Sequence, residues 1–182
     1  AAAIRARSGD IIIGEAEDFG PTIHATGLQG LAELSASLGR VMGSGVKGQA
    51  ILLDHDARNQ PQLFIDGIHI VPHADGTTAI GSTSEHVWTD PTGTDSALED
   101  LLAKARNALP ALSGAAVLDR WAGVRPRAKS RAPLLGAWPD RAGHYVANGG
   151  FKIGYGMAPK VAQVMVGLVL DGRDAIPDSF RL

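Results

Sequence analysis

The chain has 182 residues, 45% apolar and 20% charged, enough for one generous core or two small ones. Seventeen basic against nineteen acidic side chains give a net charge of −2, so charge makes no case for a nucleic-acid or anionic-membrane partner. Zero cysteines exclude disulfides, thiolate zinc sites and a cysteine-tethered cofactor; with neither a run near the roughly 20 apolar residues of a membrane span nor a signal-peptide core in Ala1-Ala2-Ala3-Ile4-Arg5, the default address is cytoplasmic.

Ala3 to Arg7 and Ile11 to Ile13 read as two strands around the turn Ser8-Gly9-Asp10. Thr22 to Ala25 reads as a short strand running into Thr26-Gly27. Leu28, Leu31, Leu34 and Leu38 recur at helical spacing until Gly39 stops the helix. Strands follow at Gln49 to Leu53, Gln62 to Ile65, Gly67 to Val71 and Thr77 to Gly81, separated by Asn/Gln/Pro and Asp-Gly turn signals. Ser96-Ala97-Leu98-Glu99 fits a capping box, and Leu98, Leu101, Leu102, Ala105 and Leu109 form one apolar stripe until Pro110. Val117 to Val124 and Tyr145 to Ala147 read as strands. A last helix over Ala158 to Leu170 is apolar on more than one side, which predicts burial between layers. The fold expected is α+β: a mixed, largely antiparallel sheet of about six to eight strands with helices on one face, plus a C-terminal strand–helix return. The strand at Thr22 and its helix come with little chain upstream to cover them, which suggests a chain beginning in the middle of a larger fold.

The run Ala147 to Pro159 carries most of the functional information. Its four glycines lead into the last helix, with Pro159 expected near that helix's first turn. Glycines let backbone N–H groups approach a ligand closely, and the helix N-terminus adds about half a positive charge, suited to a phosphate, a carboxylate or a reduced cofactor ring. The other reading is a turn that merely lets strand and helix pack. Gly43-Ser44-Gly45-Val46-Lys47-Gly48 matches the dinucleotide fingerprint G-x-G-x-x-G, but its context is inverted, with helix before and strand after, so it is set aside. His69 and His73 are four apart on a strand, a span of about 13 Å, and share no metal. Asp54-His55-Asp56 reads as a solvated strand end, and no nucleophile elbow or P-loop is present. No metal site and no certain catalytic side chain emerge. Arg125 closes Trp121-Ala122-Gly123-Val124-Arg125-Pro126, a pattern of buried strand end; the guanidinium there either pairs with an internal carboxylate or binds a ligand's carboxylate. Arg127, Lys129 and Arg131 beside it form an anion site or a solvated loop.

Trp121 to Pro126, then Pro133-Leu134-Leu135-Gly136, then Asn148 to Gly154 with Ala158-Pro159, resemble the C-terminal half of the D-amino-acid oxidase and glycine oxidase superfamily. Ala25-Thr26-Gly27, Val46 to Gln49, Ile70-Val71-Pro72 and Gly81-Ser82-Thr83 agree with it in order, so the resemblance spans about Gly9 to Gly172. It implies a distal part of an FAD-dependent oxidoreductase acting on a small amino acid or related amine by hydride transfer to flavin. Residues 1–40 would be the tail of the FAD-binding domain, 41–125 the substrate domain, and 126–182 a segment returning to the FAD side; the N-terminal dinucleotide-binding region would lie outside this chain. By the same resemblance Arg125 and Lys152 would bind substrate. Ala25, Thr26 and Gly27 would lie beside the FAD diphosphate and ribose, and Gly149, Gly150, Phe151, Lys152, Ile153, Gly154 and Tyr155 would wrap the flavin. FAD would be held weakly or not at all by this chain alone, and a homo-oligomer is possible. Departures from the pattern at Lys152, Ser130 and His73 keep open a 2-hydroxy-acid dehydrogenase, and the lack of a dinucleotide-binding motif keeps open a catalytically silent module that needs a separate N-terminal chain.

Overall fold

A computed structural model describes all residues from 1 to 182. Its first element is one helical turn, α1 (Ala2–Arg5), where a strand was expected. Residues 11–13 have no regular structure. Every side chain from 1 to 20 is exposed, so nothing is available for either expected strand to pair with. Order begins with β1 (Thr22–His24) and α2 (Gly27–Ser37). Gly39 turns the chain out of α2 at φ +61°, as a glycine past a helix end does.

The chain then lays down β2 (Gly43–Asp54), β3 (Leu63–Ile65), β4 (Ile68–Pro72) and β5 (Thr78–Gly81). The helix α3 (Ser96–Ala108) follows; its cap is Asp95, one residue earlier than the capping-box reading, and the carboxylate accepts from Ala97 N–H at 3.0 Å. The next elements are β6 (Ala116–Ala128), β7 (Leu134–Ala137), β8 (His144–Asn148) and α4 (Gly154–Asp171). Five strands form one antiparallel sheet in the order β3-β4-β5-β2-β6. The other three form a mixed sheet, β1-β8-β7, in which β1 runs parallel to β8 and β7 antiparallel to it. The architecture is the α+β arrangement expected, with the strands divided between two sheets.

Each sheet has its own core. Ile51, Leu53, Ile70 and Ile80 on one face of the larger sheet meet Leu98, Leu101 and Leu102 of α3. Period two on the strands and the 3.6-residue stripe on the helix point these groups at each other, and each fully buried leucine contributes about 2 kcal/mol. The opposite face of that sheet leaves Phe64 and Trp121 exposed. Leu31 and Leu34 of α2 pack with Met42, Ala128, Leu134, Trp138 and Val146, joining the two sheets. Val164 and Met165 of α4 pack on Leu135 and Ile176. Burial of α4 on several sides is not found: one side is covered, while Val166 and Leu170 are 50% and 73% exposed.

Candidate functional site

Two distant stretches of chain meet at the ends of β1 and β8. Parallel pairing sets Thr22 beside His144 and His24 beside Val146, so the residues after each strand emerge together. Asn148, buried at the end of β8, donates from its amide nitrogen to the Gly27 carbonyl at 2.8 Å and accepts from Gly149 N–H at 2.7 Å. One side chain thus fastens the glycine run to the turn between β1 and α2. Gly149 has φ +75°, and a Cβ there would lie 2.7 Å from that of Ala128. A side chain is excluded by both conformation and space.

The loop is also tied to the end of β6. Ala128 N–H donates to the Gly149 carbonyl at 3.3 Å, and Phe151 N–H donates to the Pro126 carbonyl at 3.0 Å. Ile153 N–H closes a tight turn onto the Gly150 carbonyl at 3.1 Å. Helix α4 starts immediately afterwards, at Gly154, so Pro159 is its sixth residue rather than part of the first turn. Ile153 caps the helix without a side-chain hydrogen bond, leaving the first-turn N–H groups free of any side-chain acceptor.

These pieces enclose an apolar cleft of about 480 Å³. Ala25 and Gly27 line it from one side; Asn148, Gly149, Gly150 and Gly154 from another; Ala158, Val161, Ala162 and Met165 of α4 form the back, with Pro126 and Pro133 at an end. Among the residues expected near a flavin, Ala25, Gly27, Gly149, Gly150 and Gly154 therefore converge. Thr26, Phe151, Lys152, Ile153 and Tyr155 do not line the cleft. Tyr155 and Lys152 are exposed, and the Lys152 ammonium lies 5.7 Å from the Phe151 ring centre, with Arg127 at 5.8 Å. Phe151 itself takes φ +47°, an uncommon value for a residue with a Cβ.

Arg125 stands just outside the cleft, next to Pro126. Its Nη2 donates to Ser82 Oγ, while Nη1 is buried and has no partner. The alternative of an internal ion pair is not what forms. Glu85, the carboxylate near it, faces the buried Lys47 at 3.9 Å and accepts from Gln49 Nε2 at 3.0 Å and from the Thr83 hydroxyl. Burial lowers the Arg125 pKa from its ordinary value, with Glu85 pulling the other way. A half-buried cation with no ion-pair partner suits a planar anion such as a carboxylate.

Several contributors escaped the sequence reading. Asn148 was part of a quoted motif but had no assigned role; an Asn closing a strand before Gly-Gly is the signal. Ser82 and Glu85 carry no local signal and become visible only when β5 is placed beside β2. The run from Gly43 to Gly48 lies wholly inside β2, and Gln49 is tied to the cap of α3 through Asp95 N–H at 2.9 Å.

A family model described as FAD dependent oxidoreductase matches residues 2–168. Glycine oxidase of Pseudomonas putida is 37% identical over 134 residues, covering 73% of this chain and 36% of that protein. Glycine oxidase of Pseudomonas aeruginosa is 36% identical over the same length and with the same shares. Among solved structures, glycine oxidase from Geobacillus kaustophilus superposes with a TM-score of 0.77 at 27% identity, over 88% of this chain and 44% of that one. Iminodiacetate oxidase from a Chelativorans species gives 0.80 at 24% identity, over 92% and 47%, a likeness of fold. The chain spans about a third of the length of the curated relatives it matches.

Proposed function

Because the chain belongs to the FAD dependent oxidoreductase family, we propose that it forms the substrate-binding and flavin-capping part of an enzyme that oxidises a small amino acid or related amine. The observation that carries this reading is the convergence of Ala25 and Gly27 with Gly149, Gly150 and Gly154 on one apolar cleft. The residues fit a flavin in kind. Glycine backbone and aliphatic side chains suit a flat, largely apolar ring, and a helix N-terminus without a side-chain cap suits an electron-rich edge. When bound, FAD supplies a hydride acceptor, which no amino-acid side chain can replace.

This chain's residues would then do the following. Ala25, Thr26 and Gly27 present backbone to the diphosphate and ribose. Gly149, Gly150 and Gly154 would hold the flavin ring within the loop that runs to Tyr155, and the first turn of α4 would favour negative charge there. Arg125 holds the substrate carboxylate and so fixes the direction of the Cα–H bond, an orientation that lowers the barrier by several kcal/mol. Lys152 adds a positive charge at the rim. An amine that arrives neutral needs no side-chain base.

Residues 1–40 and 126–182 belong, in this reading, to the FAD side, and 41–125 to the substrate side. Support comes from the small sheet, in which β1 of the first segment pairs with β8 of the last. Further FAD-binding residues outside this sequence would close over the cleft and the exposed side of α4. The test is flavin absorbance on the purified chain, alone and with that N-terminal region supplied in trans, followed by turnover of amino acids and 2-hydroxy acids. Flavin bound and amino acid oxidised with both parts present is the result expected. No flavin with both parts folded and present would overturn it.

A further inference from the structure

Arg125 sits opposite Val46 in the pairing of β6 with β2, and its fork turns towards Gly48. A Cβ at position 48 would land on Cζ and both terminal nitrogens of the guanidinium, so only glycine leaves room for the group. Gly48 is itself buried under it. On the other side the fork meets Ser82, whose hydroxyl oxygen accepts from Nη2. That leaves Nη1 buried and unpaired.

The arrangement is not a salt bridge in waiting. Both oxygens of Glu85 are engaged by Lys47, Gln49 and Thr83. Arg125 therefore forms no ion pair, and its one side-chain hydrogen bond is the one to Ser82. A long arginine side chain has about 2 kcal/mol of rotamer freedom to lose, so a seat that holds it beforehand raises affinity without touching the ligand's other groups.

We propose that Gly48 and Ser82 are positioning residues for Arg125: Gly48 provides the space and Ser82 fixes Nη2, so that the fork is held in one orientation before the substrate carboxylate arrives. The inference rests on the reading of Arg125 as the carboxylate binder and adds to it how the binder is aimed. Ser82, having accepted from Nη2, keeps its own proton to donate.

Acetate, with neutral acetamide as control, is titrated into the full 182-residue chain while the Arg125 side-chain N–H resonances are followed. Loss of one hydrogen bond to a charged group corresponds to about a tenfold effect. Ser82→Ala is expected to weaken acetate about tenfold, Ser82→Thr to restore it, and acetamide to bind no differently in any of them. Gly48→Ala is expected to shift the Arg125 resonances and to weaken acetate at least as much; if that variant does not fold, the Ser82 pair still decides. Ser82→Ala that binds acetate like the parent, while Arg125→Lys loses it, overturns the positioning role alone. A threonine as weak as the alanine overturns it too, because the loss is then one of packing. Arg125→Lys with undiminished acetate binding removes the carboxylate reading and this proposal together.

Discussion

Arg125 contrasts charge with geometry. It makes no ion pair, so Arg125→Lys removes no stabilising salt bridge, yet a lysine has a point charge in place of a fork. The expected outcome is a KM raised about tenfold or more in the complete enzyme, with a thermal midpoint nearly unchanged; unaltered kinetics would take Arg125 out of the site. His24 makes a different prediction. Its Nε2 lies 2.9 Å from Nδ1 of His144, and one proton is shared between the two rings. Burial, then Arg141 and His144, push its pKa below 6.5 against Asp18 and Glu33. Below pH 6.5 the unfolded chain takes up a proton that the folded chain refuses, so this stabilisation is present above 6.5 and is lost as the pH falls towards the lowered value. A pH series of thermal midpoints should fall on the acid side and flatten in His24→Gln. Arg125 was legible in the sequence as a charge at a buried strand end; its partner Ser82, 43 residues away, was not, because only strand pairing brings the two together.

Helices were legible from period and punctuation, as α2 and α3 show with their leucine stripes and their stops at Gly39 and Pro110. The start of α4 was not. Glycine and proline both argue against helix locally, yet Gly154 to Pro159 is helical because the loop before it is pinned to β6. The glycines of β2, rightly set aside as a dinucleotide loop, were left outside the strand expected from Gln49 for a related reason. Gly43 faces the Arg127 carbonyl, where a Cβ would come to 2.5 Å, and Gly48 faces Arg125; both mark close approach across a strand pair rather than a loop. The glycine run gives two separable predictions. Gly149→Ala forces a Cβ towards Ala128 at φ +75° and should cost about 2 kcal/mol of stability, read by denaturant unfolding. At Gly154 a Cβ meets open space while the residue lines the cleft, so a substitution there should spare the fold and reach the ligand.

Of the three clusters of buried side chains, the two larger are joined by α2 and by the long strand β6, which runs from the α3 layer to the cleft. The larger core was largely readable, since alternation and helical spacing point the same residues inward. The division into two sheets was not, because the short strand β7 has no alternation to announce it. Val166 of α4 and Ile23 of β1, at the cleft, and Leu170 near the end of α4 remain exposed. No helix is long and apolar enough to cross a membrane. In the proposed reading, a covering layer of protein and cofactor would bury these side chains. FAD alone is therefore expected to leave the thermal midpoint of this chain in place, and FAD with the complementary region to raise it through linkage.

The most direct measurement is FAD content, by absorbance of the purified complete protein, in the parent and in Gly154→Val. The cradle built from the β1 turn and the glycine run predicts that the valine variant folds with an unchanged midpoint in its flavin-free form and loses most of its FAD. A valine variant that retains the parent's full flavin content would contradict it.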